Sequence, residues 1–173
     1  MTTVLDRQAV YDELERVRVT FRGLSTTLST EDMSRPSNGT RWTNRQLFYH
    51  LLFGYIVVVV LLPLVKLLAM LPRGATKPFA AVLDFSTRPF HFMNYIASVI
   101  GPWMFSTERM VRMLDRITTG LARGLAAETE PGLQRGMHFP TRWDPFFTDF
   151  MTVGDLYHYP TLHFDFHQRQ LSA

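Results

Sequence analysis

Thr43-Asn-Arg-Gln46-Leu-Phe-Tyr-His50-Leu-Leu-Phe-Gly-Tyr55-Ile-Val-Val-Val-Val60-Leu-Leu-Pro63-Leu-Val-Lys66-Leu-Leu-Ala-Met-Leu71 is the stretch on which the fold turns. It opens as a capping box, in which the Thr43 hydroxyl and the Gln46 side chain satisfy each other's free backbone amides, so a helix starts here. His50 falls two turns inside. From Leu51 to Val65 there are fifteen residues without a charge, whereas a membrane span needs about 20 apolar residues. Pro63 lies near the end of the run, and a span would put His50 close to its boundary. The stretch is therefore read as a helix buried on most of its surface. The bundle core would cover one side, and an additional layer or a partner subunit in a homodimer would cover the other. Pro72 and Gly74 end it, and the aromatic-rich Phe79 to Phe105 is the candidate for the added layer.

Outward from this helix the signals are periodic. Val10, Leu14, Val17, Phe21, Leu24 and Leu28 alternate steps of four and three among charged residues, which predicts an amphipathic first helix. Met110, Met113, Leu114, Ile117, Leu121 and Leu125 repeat the pattern after Ser106-Thr-Glu-Arg109. Residues 31 to 41 have turn composition. Glu128 to Met151, with Pro131, Gly132, Gly136, Pro140 and Pro145, reads as a long crossover of the kind that often borders a functional site. Thr152-Val-Gly-Asp155 marks the start of the last helix. No alternation with period two persists. The expected fold is all-α, a four-helix bundle over residues 1–173 as one domain, with a long crossover before the last helix and an extra apolar helical segment.

The chain has no cysteine, which excludes a disulfide framework, a thiolate metal site and a cysteine nucleophile together. Its formal charge of +3 comes from 18 basic and 15 acidic residues spread along the sequence, so no nucleic-acid surface is indicated. Charges at Asp6 and Arg7 fall where a secretory signal needs apolar residues, and a cytosolic location is the expectation.

Six histidines carry the candidate chemistry. His163 and His167 are four apart, on one helix face, a spacing that lets two imidazoles grip one metal; two ordinary surface or core histidines have the same spacing. His50 sits between Tyr49 and Leu51, where an unpaired ring would be costly. A metal relieves that cost, and so does a hydrogen bond in the core. His158 lies about 140° from His163 around an ideal helix, and only a distortion at Pro160 would bring it to the same place. His91 and His138 read as packing or surface residues. Asp165 points away from the face of His163 and His167 on an ideal helix, which leaves it at most an indirect support of the two rings.

Arg41-Trp42-Thr43 with Leu47 and His50-Leu51, then His163, His167 and Gln170-Leu171, resemble the DinB/YfiT superfamily. In that family W-T-x-x-x-(L)-x-x-H-L opens the second helix and H-x-x-x-H-x-x-Q-[LI] closes the fourth. Trp143-Asp-Pro145-Phe-Phe147 is similar to the family's approach to its C-terminal helix. The resemblance implies a four-helix bundle with a three-histidine metal site at His50, His163 and His167. Members of that family include thiol-dependent transferases and isomerases that use mycothiol or bacillithiol, metal-dependent hydrolases, and many proteins without an assigned activity, so the resemblance does not fix a reaction. Pro160, three residues before His163, departs from the pattern and should kink the last helix or shift its start.

Three neutral imidazoles leave a divalent ion its full charge and an open position, which suits thiol or water activation. Zinc is the first choice by ligand type, and nickel, iron, manganese and copper also accept imidazole. The leading expectation is a metal-dependent S-transferase or hydrolase for a small, apolar substrate. Its competitor is a non-catalytic bundle that binds a metal or an apolar ligand and docks on a membrane or a partner protein through Tyr55 to Phe105.

Overall fold

A computed structural model describes residues 5–172; part of the N-terminal stretch read above for a secretory signal lies outside them. In chain order come α1 (Arg7–Thr27), the single-turn α2 (Thr30–Ser34), α3 (Asn44–Leu68), α4 (Lys77–Phe85), α5 (Thr87–Met104), α6 (Thr107–Ala127) and the single-turn α7 (Glu130–Gln134). Two three-residue strands, β1 (Gly136–His138) and β2 (Phe150–Thr152), precede α8 (Val153–Gln168). The protein is an all-α bundle. α1 packs on α6 and α8, and α3 packs on the same two, which closes a ring of four long helices.

The helix starts are where side-chain chemistry puts them. Thr43 accepts from the Gln46 amide while the Gln46 side chain accepts from the Thr43 amide. Thr152 and Asp155 make the same reciprocal pair at α8, and Ser106 caps α6. Each cap satisfies amides that have no partner inside the helix. The apolar stripes of α1 (Val10, Leu14, Val17, Phe21) and α6 (Met110, Leu114, Leu121, Leu125) are buried. They meet the first half of α3, where Phe48 stacks on Phe21 with ring centroids 4.0 Å apart. Burying each such side chain contributes roughly 1.5–3 kcal/mol. The Tyr55 and Thr161 hydroxyls, 3.0 Å apart and buried, tie α3 to α8 in the polar register the stripes alone would not fix.

α5 is the added layer, lying along α3. The approach is close at Gly101: a Cβ there would fall 2.2 Å from the Tyr49 ring, so any side chain would push the two helices apart. Within the crossover, β1 pairs antiparallel with β2, Met137 opposite Met151. Three residues per strand are too few for the alternation that would reveal them in the sequence.

Two expectations need correction. α8 runs unbroken through Pro160 from a start at Val153, so of the two effects expected of the proline the shifted start does not occur. The larger correction concerns α3. Its first half is buried as expected, but beyond Val58 only one stripe, Leu62, Val65 and Ala69, stays covered. Val60, Leu64, Leu67 and Met70 are exposed. The reason is length: α3 has 25 residues and α8 has 16, so α3 outruns that partner by roughly 14 Å at 1.5 Å per residue.

Candidate metal centre

His50, His163 and His167 lie close enough to hold one metal ion, with a ligand nitrogen from each within 4.8 Å of the others. The capped start of α3 fixes the depth of His50, which is 2 % exposed. One turn of α8 separates His163 from His167, and their ring centroids are 4.5 Å apart. Gly54, one turn after His50, admits His163 against α3: a Cβ there would sit 2.9 Å from His163 Cδ2.

Each ring is held from behind through Nδ1. His163 Nδ1 is 3.0 Å from Asp144 Oδ2, an oxygen that also accepts from the Tyr159 hydroxyl at 2.9 Å. The Phe146 amide donates to the other oxygen, Oδ1. With only acceptors on Asp144, the proton between them belongs to His163 Nδ1. His167 Nδ1 donates to Gln170 Oε1 at 2.7 Å. His50 Nδ1 is 3.0 Å from Ser98 Oγ; because the Ser98 hydroxyl already donates to the Asn94 carbonyl, it accepts from His50.

All three rings are thus protonated at Nδ1 and turn an unprotonated Nε2 inward. His50 Nε2 and His163 Nε2 are 3.1 Å apart, with no proton left to place between two lone pairs. Two nitrogens on one tetrahedral zinc, at about 2.0–2.1 Å each, stand about 3.3 Å apart. The His50–His163 separation is close to that of two ligands on one divalent cation.

Electrostatics point the same way. Burial, with the neighbouring His163 and His167, pushes His50 well below the usual histidine range. Burial and His163 lower His167 to about 4, against the opposing pull of Gln170 and Asp144. Both are therefore neutral at neutral pH, the form that can bind a metal. Burial alone would raise Asp144, but His163 and the donors from Phe146 and Tyr159 hold it below the ordinary carboxylate value. Around the rings stand Trp42, 4.5 Å from His50 by centroid, and Phe53, at 6.4 Å. The Trp42 indole nitrogen is buried and has no hydrogen-bond partner among the described residues.

The other histidines lie elsewhere. His158 Nδ1 is 2.6 Å from Glu13, His138 bonds the Asp149 carbonyl, and His91 is exposed. Asp165 forms a two-pronged pair with Arg16, both distances 2.8 Å, and supports none of the three rings. Sequence reasoning missed Ser98 and Asp144 as supports. Asp144 stands inside the quoted Trp143-Asp-Pro145 motif, and Gln170 inside the quoted C-terminal one, so the motifs held a signal whose role only the tertiary contacts supply. Comparison with family models, with curated proteins and with solved structures finds no match.

Proposed function

We propose that His50, His163 and His167 bind one divalent metal through Nε2, and that the chain is a metal-dependent enzyme for apolar electrophiles. The nucleophile is a low-molecular-weight thiol such as mycothiol or bacillithiol in an S-transferase, or water in a hydrolase. The observation that carries the metal assignment is the convergence of three Nε2 lone pairs whose Nδ1 protons are committed to Ser98, Asp144 and Gln170. Zinc is favoured by ligand type, with nickel, iron, manganese and copper as alternatives. When bound, such an ion acidifies a thiol or water and polarises a carbonyl.

The chain's own residues supply the rest of the site. The acceptors on Nδ1 fix ring orientation and raise ligand basicity. Asp144 has no free oxygen with which to act as a general base, since both are engaged. Trp42 and Phe53 make the surroundings apolar, and the unspent Trp42 N–H suits an acceptor on the substrate. A nucleophile from outside accords with the absence of cysteine. The reaction class also draws support from the resemblance of Trp42-Thr43, His50-Leu51, His163, His167 and Gln170-Leu171 to the DinB/YfiT superfamily.

The test is elemental analysis of chain purified without a polyhistidine tag, followed by turnover of ester and electrophilic substrates with and without mycothiol, bacillithiol and glutathione. One metal per chain, lost in His50→Ala, His163→Ala and His167→Ala, is expected, with thiol-dependent turnover marking a transferase and thiol-independent turnover a hydrolase. Metal content unchanged in all three variants, or turnover that survives both chelation and His50→Ala, would overturn the proposal.

A further inference from the structure

The exposed apolar surface of this protein is gathered in one part of the chain. Among the described residues, sixteen of the nineteen exposed large hydrophobics lie between Val59 and Met104, on the second half of α3, on the turn that follows it, on α4 and on α5. Phe85 is 93 % exposed and Val82 68 %. Water-facing positions of a bundle helix are ordinarily polar, and an apolar concentration of this size marks an interaction surface.

Charge identifies what the surface meets. Residues 55–105 contain Lys66, Arg73, Lys77 and Arg88 against Asp84 alone. Taking these from the 18 basic and 15 acidic residues of the chain leaves fourteen of each, so the whole excess of +3 sits on the apolar segment. Lys66 pairs with Glu128. Among the described residues, Arg73, Lys77 and Arg88 have no acidic partner within ion-pair distance, and Asp84 faces the Arg142 amide. An apolar segment that also carries exposed cations without acidic partners is complementary to a bilayer with anionic headgroups. A second copy of the chain is the poorer occupant: in a two-fold contact each face meets itself, which sets these cations against their equivalents with little acid between.

A cavity of about 180 Å³ adds continuity. It lies between α3, α4, α5 and the crossover, and its wall includes the exposed Leu61, Leu64 and Phe79 together with Leu83, Phe90 and Tyr159. Although α3 is long and apolar enough to cross a membrane, a span would strip Tyr55, Val58 and Leu62 from the core they occupy.

We propose that the second half of α3, with α4 and α5, docks this protein on an anionic lipid surface without spanning it. The docking does not depend on the histidine centre. Flotation of the purified full chain with phosphatidylcholine vesicles, with and without phosphatidylglycerol, tests it. Partitioning at least tenfold stronger onto the anionic vesicles is expected, with most of that preference lost in 0.5 M salt. Lys77→Glu/Arg88→Glu should weaken it at least tenfold and Leu64→Asp/Val82→Asp should abolish it. Circular dichroism checks that each variant is folded; if the apolar pair is not, the exposed charge-reversal pair decides. Equal binding to neutral and anionic vesicles would overturn the proposal. So would absence of binding, and a concentration-dependent dimer seen by light scattering would then give the face to a second copy.

Discussion

The two halves of α3 have nearly the same apolar character and opposite surroundings. From Leu47 to Tyr55 almost every side chain is enclosed, and the one strongly polar ring there, His50, is aimed by Ser98 of α5 and faces His163 of α8. From Val59 to Leu68 the helix keeps a single covered stripe and turns apolar side chains outward. Hydropathy along a sequence reports what a residue prefers to avoid. It does not report whether the chain supplies a cover, because that depends on the lengths and directions of partners far away in sequence.

The first way to break this comparison is by stability. Phe48→Ala should cost about 3–5 kcal/mol, the range for emptying a large aromatic site in a packed core. Val60→Thr, on the outward side of the second half, should stay within about 0.5 kcal/mol. Urea unfolding followed by circular dichroism measures both, and equal costs would mean that the second half is covered in solution.

A smaller effect is expected where the enclosed half depends on polar partners. Asp144→Asn keeps the shape of the support behind His163 but removes its charge, and metal affinity should fall by about 10- to 100-fold, the usual consequence of losing such a partner. Competition with a chromophoric chelator reads the affinity. An unchanged value would show that the carboxylate is only a structural contact.

A further effect is expected from pH on the metal-free protein. His50 and His167 are lowered in the fold, the latter to about 4, whereas unfolded histidines titrate near 6.5. As pH falls below about 6.5 the unfolded chain takes up protons first, so stability should be flat above neutrality and decline toward pH 4. The slope is about 1.4 kcal/mol per pH unit for buried His50, and less for His167, which solvent partly reaches. Chemical denaturation at a series of pH values checks this. A decline confined to pH below 4 would mean that neither ring is held neutral by the fold.

Much of this was legible in the sequence because it is local. The reciprocal caps at Thr43 and Thr152 and the stripes of α1 and α6 depend on spacings of three and four, and the structure has them where those spacings put them. The three histidines were also readable, one as a polar ring in an apolar run and two as a one-turn pair. Ser98 and Asp144 were not, since they reach His50 and His163 across 48 and 19 residues; Asp144 lies inside the quoted Trp143-Asp-Pro145 motif, but which ring it supports is set only by the tertiary contact. The exposed half of α3 was misread for the same reason: the mismatch between 25 residues of α3 and 16 of α8 matters only once the two are known to lie together.

Tyr159 belongs to two places at once. Its ring is part of the wall of the apolar cavity, and its hydroxyl holds the carboxylate that orients His163. A guest that shifts the ring must disturb that hydroxyl, and a change at the histidines must be felt in the wall. Thermodynamic linkage makes such an influence mutual and equal in free energy. If a guest enters the cavity and an ion the histidines, the two occupancies meet at this one side chain.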